Sequence, residues 1–397
     1  MDPRRTSTAA WADVWLGLRV GSDIALANAM ARVIIHAGLA HQEFIGRATT
    51  DFEAYKTCVE KYTLEYAEGE TGVPADVIRE AALSYARAPR AMICWTLGIT
   101  EHHNAVDNVL ALINLALLTG KVGRYGCGLN PLRGQNNVQG GGDMGAIPNR
   151  LTGFQDILDP AAREQFERAW NTKIQPRHGW NLTQMFRAMD EGKLTGLYVI
   201  GENPAQSDAD LHRIERLLTN LDHLVVQDIF LTKTADFATV VLPASSSWCE
   251  AEGTVTNSER RVQRCLKALD APGDARDDIW IICEIAKRLG HDFGNPTAHD
   301  AWNDVRAVAP HMFGGMTYQR LEEFSGLQWP CADESEPGAQ FLHARLWETP
   351  VRGERAPFHA VEHEPPVEQP DAEFPFILTT GRRLESYNTG VQSSGYE

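Results

Sequence analysis

Apolar residues recur at helical spacing through much of the first half of the chain. Residues 23–39 are rich in Ala and Met, and this pattern predicts a helix with Asp23 as its N-cap and Gly38 as its C-cap. The helical pattern continues over residues 41–68 and 74–88. Helices are therefore expected over these three stretches.

An apolar run over residues 91–98 predicts a buried strand, and the pattern of 104–118 predicts the amphipathic helix that follows it. A second, clearer region predicts three strands and one helix, over 194–200, 223–229, 238–242 and 208–219. Repeated β-α-β steps predict an α/β fold with doubly wound, mostly parallel sheets. Polar groups at the strand ends, in 201–203 and 227–228, are expected to line one crevice. Neither a Gly-x-Gly-x-x-Gly fingerprint nor a Walker A sequence follows any strand.

Residues 130–149 show neither helical nor strand periodicity and combine glycines, side-chain amides and one arginine. Glycine lets the backbone approach a ligand closely, amides such as Gln135 offer paired donors and acceptors, and Arg133 offers a planar cation. This inventory suits a large, flat ligand rich in hydrogen-bonding groups, beside an anion. The alternative interpretation is a long mobile loop.

The amino-acid composition limits the classes of partner that the protein can bind. The 397 residues carry a formal net charge of −16, which argues against nucleic acid as a partner. No run of eighteen apolar residues occurs, so no membrane span is predicted. Arg4 and Arg5 do not begin a twin-arginine signal, because Asp13 and Arg19 interrupt the region that should be apolar, and we expect a cytoplasmic protein.

The seven cysteines are widely spaced, with no Cys-x-x-Cys pair. This spacing argues against a disulfide framework, and against a zinc or iron–sulfur site built within this chain. Cys94 and Cys283 are expected to be buried as small apolar side chains, and Cys127 is expected to be structural.

The pattern changes after Trp248. Residues 250–264 are polar, and a helix is predicted over 277–289. Residues 332–373 are rich in Pro, Glu and Gly, which is typical of a surface linker, and a last strand is predicted from Phe374.

Several segments occur in the order in which one enzyme family carries them. They include Asp-Pro-Arg-Arg-Thr at 2–6, Gly-Glu-Asn-Pro at 201–204 and Asn-Pro-Leu-Arg-Gly-Gln-Asn-Asn-Val-Gln-Gly at 130–140. The other matching segments are 98–101, 115–123, 227–235, 241–243, 250–254 and 378–382. Together they resemble the catalytic alpha subunit of molybdopterin-dependent formate dehydrogenases, in the dimethyl-sulfoxide-reductase superfamily.

The resemblance implies oxidation of formate to CO2 at a bis-(molybdopterin guanine dinucleotide) cofactor that carries molybdenum or tungsten. It makes Arg133 the catalytic residue that orients the substrate carboxylate. Asp228 would face one guanine, Asp2, Arg4 and Asp23 would serve the other guanosine, and Thr232 and Thr234 would hold ribose or phosphate oxygens. The implied cofactor-binding residues are Asp2, Arg4, Thr6, Gly21, Asp23, Leu97, Gly98, Glu101, Arg133, Gln135, Gly201, Glu202, Asn203, Gln227, Asp228, Thr232 and Thr234.

Some of these residues have a plain alternative. Asp23 suits an N-cap equally well, and Glu101 stands where the family often carries glutamine. His102 and His103 are either proton relays or ordinary turn histidines.

The family's four-cysteine site for a 4Fe-4S cluster, and the cysteine or selenocysteine that ligates molybdenum, precede the Asp-Pro-Arg segment. We therefore expect this chain to be an internal fragment, inactive alone, with no metal ligand of its own. An electron-transfer subunit or an NAD-reducing partner is expected.

Four regions are predicted. Residues 1–135 form a first cofactor domain that lacks its first strand, and 136–247 a second. Residues 248–340 belong to a lower domain, with 277–298 either in it or packed on the second domain, and 341–397 lead from a linker into a truncated cap domain. The rival functions are an assimilatory nitrate reductase, a non-catalytic scaffold subunit of a redox complex and a stand-alone nucleotide-binding module.

Overall fold

The strands of this computed structural model are short, and they form five sheets in the part of the chain that the structure describes, residues 1–247 and 249–378. In chain order they are β1 (Thr49–Thr50), β2 (Met92–Trp95), β3 (Gly128–Pro131), β4 (Arg150–Leu151), β5 (Gln155–Asp156), β6 (Gly196–Ile200), β7 (His223–Asp228), β8 (Val240–Pro243), β9 (Gly253–Thr256), β10 (Arg261–Cys265), β11 (Leu327–Gln328) and β12 (Ala356–Pro357).

The helices are mostly longer than the strands, and the longest of them lie near the beginning of the chain. They are α1 (Ser7–Trp11), α2 (Asp23–His36), α3 (Gln42–Ala48), α4 (Phe52–Val59), α5 (Leu64–Thr71), α6 (Ala75–Arg87), α7 (Leu97–Thr100), α8 (Ala105–Leu118), α9 (Val138–Asp143), α10 (Pro160–Trp170), α11 (Leu182–Asp190), α12 (Pro204–Ser207), α13 (Leu211–Thr219), α14 (Asp278–Arg288), α15 (Ala298–Val308), α16 (Pro310–Phe313) and α17 (Tyr318–Glu323). Three 3₁₀ turns cover Thr152–Phe154, Lys233–Phe237 and Ala344–Trp347.

The described residues divide into two units: residues 1–132 with 340–378, and residues 133–339. The four regions predicted from the sequence stay a prediction. No helix in the described part of the chain is both long and apolar enough to cross a bilayer.

In the first unit, α2 is the central helix and packs against α4, α5, α6 and α8. Its alanines, Ala25, Ala29 and Ala31 among them, are fully buried and allow neighbouring helices to approach closely. The parallel pair β2 and β3 lies beside this helical core, with Cys94 opposite Asn130.

The second unit contains the sheet of β6, β7 and β8, all parallel and adjacent in chain order. Its buried side carries Leu224 and Val226 and packs on α13 through Ile214 and Leu217. A second sheet, β11-β10-β9, is antiparallel and closes over a core that contains Trp302 and Phe313. The α/β class with parallel sheets is therefore confirmed.

Several local predictions need correction. Ser22, and not Asp23, occupies the N-cap of α2, so that Asp23 is its first helical residue. Residues 41–68 are divided among three helices, because the chain turns at Asp51, whose φ is 62°, and leaves the helix again over residues 60–63. Cys94 is exposed, because β2 has β3 as its one strand neighbour among the described residues and alternate side chains face outward. Cys283 and Cys127 are buried, as expected.

Part of the segment 332–373, which was expected to be a surface linker, packs against the other residues of the first unit. Leu346, Phe358 and Val361 are buried in its core, and the Phe358 ring stacks on Tyr55 with 5.1 Å between centroids. The side-chain amide of Asn114 donates to the carbonyl oxygen of His359 at 2.7 Å. Apolar residues spaced widely among prolines and glutamates gave no periodic signal. The predicted last strand is not formed over 374–378, and the rest of it, with the 378–382 motif beyond Leu378, lies outside the described residues.

Candidate functional site

The carboxyl ends of β6, β7 and β8 bring together most of the site residues predicted in the second unit. Gly201 follows β6 with a φ of 61°, and its N–H donates to the carbonyl oxygen of Gln227 at 2.9 Å. This positive φ favours glycine and turns the chain sharply away from the strand. Glu202 follows in an exposed position, where its carboxylate accepts the N–H of Asn203 at 2.9 Å.

Asn203 and Thr234 form a buried hydrogen-bonded pair that joins the segment after β6 to the segment after β7. The Asn203 Oδ1 atom accepts from the backbone N–H of Thr234 at 3.1 Å and from its hydroxyl at 2.8 Å. The same hydroxyl accepts the N–H of Ala205 at 3.1 Å. Since both side chains are fully buried, they fix the shape of the strand ends.

Gln227, the next-to-last residue of β7, is also held from both sides. Its amide oxygen accepts from the Tyr198 hydroxyl, and its amide nitrogen donates to the carboxylate of Asp278 at the start of α14. Burial raises the pKa of Asp278, and the hydrogen bond from Gln227 opposes that rise.

Asp228, at the end of β7, is different because half of its carboxylate lacks a partner. Its Oδ1 atom accepts from the N–H groups of Ile229 and Phe230 at 2.7 and 3.3 Å. Its buried Oδ2 atom has no hydrogen-bond partner among the described residues. Burial raises the pKa of this carboxyl, the two backbone N–H groups oppose the rise, and nearby Glu202 adds to it.

Two hydroxyls at the same end of the sheet share this property. The Oγ1 atom of Thr232 and the Oγ atom of Ser245 are buried without a hydrogen-bond partner among the described residues. Ser245 lies two residues beyond Pro243, which pairs with Asp228 in the ladder. Buried polar atoms are normally paired, so these three atoms at one end of the sheet have hydrogen-bonding capacity that is available to a ligand.

Residues 133–137, here called the arginine segment, lie in the same unit and are bonded to the β9–β10 hairpin. The backbone N–H of Arg133 donates to the Ser258 hydroxyl at 3.0 Å, while its side chain is exposed. The side chain of Asn137, whose φ is 63°, accepts the N–H of Thr256 at 2.9 Å. Gln135 is half-buried between these two anchors.

Residues 130–149 were expected to form an irregular loop, and the part that follows the arginine segment is helical instead. Residues 138–143 form α9, and Gln139, Gly140 and Asp143 are buried. A Cβ atom on Gly140 would lie 2.0 Å from Asn137 Oδ1, so this glycine is required by its packing against the Asn137 side chain at the beginning of α9. Asp143, with Ser258 and Trp329, belongs to the residues that the sequence did not single out.

In the first unit, the predicted residues near the beginning of the chain are partly exposed. The carboxylate of Asp2 accepts the N–H of Arg4 at 2.8 Å. Thr6 is the N-cap of α1 and accepts the N–H of Ala9 at 3.3 Å.

Gly21 and Asp23 lie where α2 begins. Gly21 has a φ of 81°, and a Cβ atom there would lie 2.3 Å from Pro366. Burial raises the pKa of Asp23, and the charges of His102 and His363 oppose that rise. Asp23 is thus a partly buried carboxylate beside two imidazoles.

Leu97, Gly98 and Glu101 lie on or just after the short helix α7, where the sequence predicted the end of a strand and a turn. The carbonyl oxygen of Gly98 accepts a hydrogen bond from the His102 ring at 2.9 Å. The N–H of Glu101 donates to Leu97 at 2.8 Å, and both of these side chains are exposed.

Polar groups at the carboxyl ends of a parallel sheet, some of them buried without a partner among the described residues, are typical of α/β proteins that bind a ligand at this edge of the sheet. The chain matches the family model described as molybdopterin oxidoreductase over residues 1–288, and it belongs to that family.

The curated relatives are more specific. The chain is 44% identical over 396 residues to the F420-dependent formate dehydrogenase subunit alpha of Methanocaldococcus jannaschii, covering 99% of this chain and 58% of that protein. It is 40% identical over 390 residues to formate dehydrogenase H of Escherichia coli, covering 98% and 54%. The chain thus spans little more than half the length of these relatives.

Among solved structures, acetylene hydratase from Pelobacter acetylenicus aligns with a TM-score of 0.61 at 24% identity, covering 83% of this chain and 47% of that one. At this identity the likeness shows the fold alone.

The strand ends of the second unit fit the cofactor that the family implies. A molybdopterin presents ring N–H and exocyclic amine donors together with phosphate oxygens. The unpaired Asp228 Oδ2 can accept from such donors, and the Thr232 and Ser245 hydroxyls can donate to phosphate oxygens. Gln227, Asn203 and Thr234 are already bonded within the protein and shape this end of the sheet.

Proposed function

We propose that the protein containing this chain oxidises formate to CO2 at a bis-(molybdopterin guanine dinucleotide) cofactor. The observation that carries the proposal is Arg133, exposed and anchored through its backbone, in a chain more than 40% identical to an enzyme named for formate oxidation. The bound cofactor would supply the two-electron acceptor, and this chain would supply binding and orientation.

Arg133 would bind the substrate. Formate is a small anion, and a guanidinium group gives it both a charge and a direction, since two parallel N–H groups match the two carboxylate oxygens. The Ser258 hydroxyl fixes the arginine at its backbone, so that the side chain extends from a rigid base. Gln135, half-buried in the same segment, would contact the cofactor.

Asp228 would bind guanine. Guanine presents the N1–H and the exocyclic amine side by side, and a carboxylate accepts both. The Oδ2 atom that has no partner among the described residues is available for one of these bonds, while Oδ1 keeps the strand end in place. Thr232 would donate to ribose or phosphate oxygens, and Thr234 would act through its bond to Asn203.

For the first unit, we propose that Asp2, Arg4 and Asp23 contact the second guanosine. Thr6, Gly21, Leu97, Gly98 and Glu101 would contribute backbone and side-chain contacts around it. The support is their resemblance to the family's segments, together with the partly buried carboxylate of Asp23 at the beginning of α2.

The remaining parts of the proposal rest on the resemblance alone. The 4Fe-4S cluster and the molybdenum ligand that the resemblance implies are not assigned to residues of this chain, and electrons would pass to an electron-transfer subunit or an NAD-reducing partner. The cytoplasmic location stays a prediction from the sequence.

Replacing Arg133 tests the substrate role. In the complete holoenzyme, Arg133→Ala should reduce kcat/KM for formate by at least about a thousandfold, because the anion loses its charge-assisted hydrogen bonds. The molybdenum and pterin contents, measured by mass spectrometry of the metal and by pterin fluorescence, should stay near those of the wild type.

Arg163→Ala is a suitable control. The Arg163 guanidinium, on α10, donates to the carbonyl oxygen of Ile157 in the turn that precedes this helix, so its contact is local. A wild-type holoenzyme that reduces nitrate and leaves formate untouched would overturn the proposal. Loss of metal in Arg133→Ala would reassign this residue to cofactor retention.

A further inference from the structure

The carboxylate of Asp143 is the most completely buried acidic group beside the arginine segment. It has 0% exposure, and it is the last residue of α9, the helix that begins five residues after Arg133. Nothing in the proposed reaction uses it. A buried carboxylate is costly unless it is well bonded, so its contacts show what it does.

Both oxygens of Asp143 accept hydrogen bonds from neutral donors. The Gln139 side-chain amide, one turn earlier on α9, donates to Oδ1 at 2.8 Å. The Trp329 indole N–H, from a distant part of the same unit, donates to Oδ2 at 2.9 Å. The carboxylate therefore ties α9 to Trp329.

Trp329 is itself a fixed point. Its backbone N–H donates to the carbonyl oxygen of Arg260 at 3.2 Å, and the Arg260 guanidinium lies over its ring at 5.2 Å. The same guanidinium donates to the Trp329 carbonyl oxygen. A bond to this indole consequently anchors α9 to a rigid neighbour.

Few charges act on Asp143. β9 and the 3₁₀ turn Thr152–Phe154 pack against α9 and carry no ionisable side chain, and Arg260 is a charged group that lies against Trp329. The charge of Arg133 is the one that acts on it from the arginine segment. Burial raises the pKa of Asp143 to about 6, against the two hydrogen bonds and the charge of Arg133.

We propose that Asp143 is a positioning residue for Arg133: by anchoring α9 to Trp329, its carboxylate fixes the direction in which the arginine segment presents its guanidinium to formate. This inference rests on the proposed function for its substrate. The Ser258 and Asn137 contacts hold the segment from the hairpin side, and Asp143 holds the helix that follows it. Without this second anchor, α9 and the segment before it can shift together.

The variant Asp143→Asn tests the proposal. The amide nitrogen of the new side chain would face either the Gln139 amide or the Trp329 indole N–H, and that hydrogen bond would be lost. In the holoenzyme, the KM for formate should rise by about tenfold or more while kcat falls much less, since ground-state binding of the anion is what loses its geometry. Hydrogen exchange of the 134–143 backbone should accelerate, and that of β6 and β7 should stay unchanged.

Asp304→Asn is the matched control. Asp304 accepts the indole N–H of Trp170 at 2.9 Å, so it makes the same type of bond, but at an exposed position on α15. The control should change neither KM nor exchange of 134–143. Trp329→Phe, which removes the indole N–H and keeps the carboxylate, should repeat the effect of Asp143→Asn and serves if that variant does not fold.

A measurement that does not depend on turnover is fluorine NMR of the same protein labelled with 5-fluorotryptophan. The fluorine resonance of Trp329, assigned by its loss in Trp329→Phe, should titrate near pH 6 in the wild type and be constant in Asp143→Asn. If the wild type does not oxidise formate, the proposed function fails, while exchange and titration still test the anchor. An unchanged or lowered KM in a formate-oxidising Asp143→Asn enzyme, or unchanged exchange of 134–143, would overturn the positioning role.

Discussion

Asp228, the residue proposed to bind guanine, has a carboxylate that the protein itself bonds on one side alone among the described residues. One of its oxygens is bonded to two backbone N–H groups, and the other is buried without a donor among the described residues. An unsatisfied buried polar group costs about 1–3 kcal/mol. A residue chosen for stability alone would not leave that oxygen unpaired, and the sequence pattern of β7 could only mark Asp228 as an unusual strand residue.

We predict that Asp228→Asn stabilises the cofactor-free protein by about 1 kcal/mol at neutral pH, because the uncharged amide costs less to bury. The pKa of Asp228 is raised in the fold, so protonation favours the native state. That favourable contribution is complete below the unfolded value of 3.8 and is lost as the pH rises through the folded pKa. The gain over the wild type should therefore shrink towards pH 4, as measured by urea unfolding.

The same variant should retain less cofactor, since an amide nitrogen would meet the N–H donors of guanine. Pterin content per protein measures this loss, and Asp210→Asn, at the exposed N-cap of α13, is the control. A variant that is destabilised at neutral pH and still loads fully would contradict the assignment.

At the scale of elements, the segment 340–378 and α8 depend on each other. Asn114 is fully buried on α8, donates to the carbonyl oxygen of His359 at 2.7 Å and accepts its N–H at 3.1 Å. These reciprocal bonds satisfy backbone groups of a segment that has almost no regular structure. The sequence predicted α8 correctly, but a lone Asn in an apolar helix gave no indication of its distant partner.

Asn114→Ala should destabilise the protein by about 2–4 kcal/mol, because it leaves two buried backbone groups unpaired. Thermal unfolding measures the loss, and limited proteolysis should cut sooner within 345–370. Asn220→Ala, at the exposed C-cap of α13, should have little effect. Equal protease resistance in Asn114→Ala and the wild type would show that other contacts hold the segment.

Over the whole molecule, acidic residues exceed basic ones by 16, from 53 acidic and 37 basic residues. In most ion pairs of the described residues at least one partner is exposed, as in the pairs Lys61–Glu362 and Arg352–Glu348, and such pairs contribute little each. Self-repulsion of the net charge is therefore the larger long-range electrostatic effect on the folded state.

Raising NaCl from about 10 mM to about 150 mM should increase the thermal unfolding temperature, because the Debye length falls to roughly 8 Å and repulsion is screened. Differential scanning fluorimetry in a salt series measures the shift, with equal osmolality of sucrose as the control for excluded-solute effects. A steady decrease with salt would mean that the attractive pairs outweigh the net charge.

The periodic patterns and short motifs of the sequence determined much of the secondary structure and the family of this protein. Helix periodicity located α2, α6 and α8, alternating and apolar runs located β6, β7 and β8, and ordered short motifs identified the family. These signals lie within contiguous stretches, since helix and strand periods are properties of neighbouring residues.

The tertiary structure decided what depends on residues far apart in the chain. It left the Asp228 carboxylate half-paired, bonded Asp143 to Trp329 across 186 positions and buried Phe358, from a largely irregular segment, in the core of the first unit. A hydrogen bond between distant residues leaves no periodic trace, and burial depends on what the rest of the chain packs over a side chain. For that reason Asp143 could be recognised only once the helix that carries it had been placed against its neighbour.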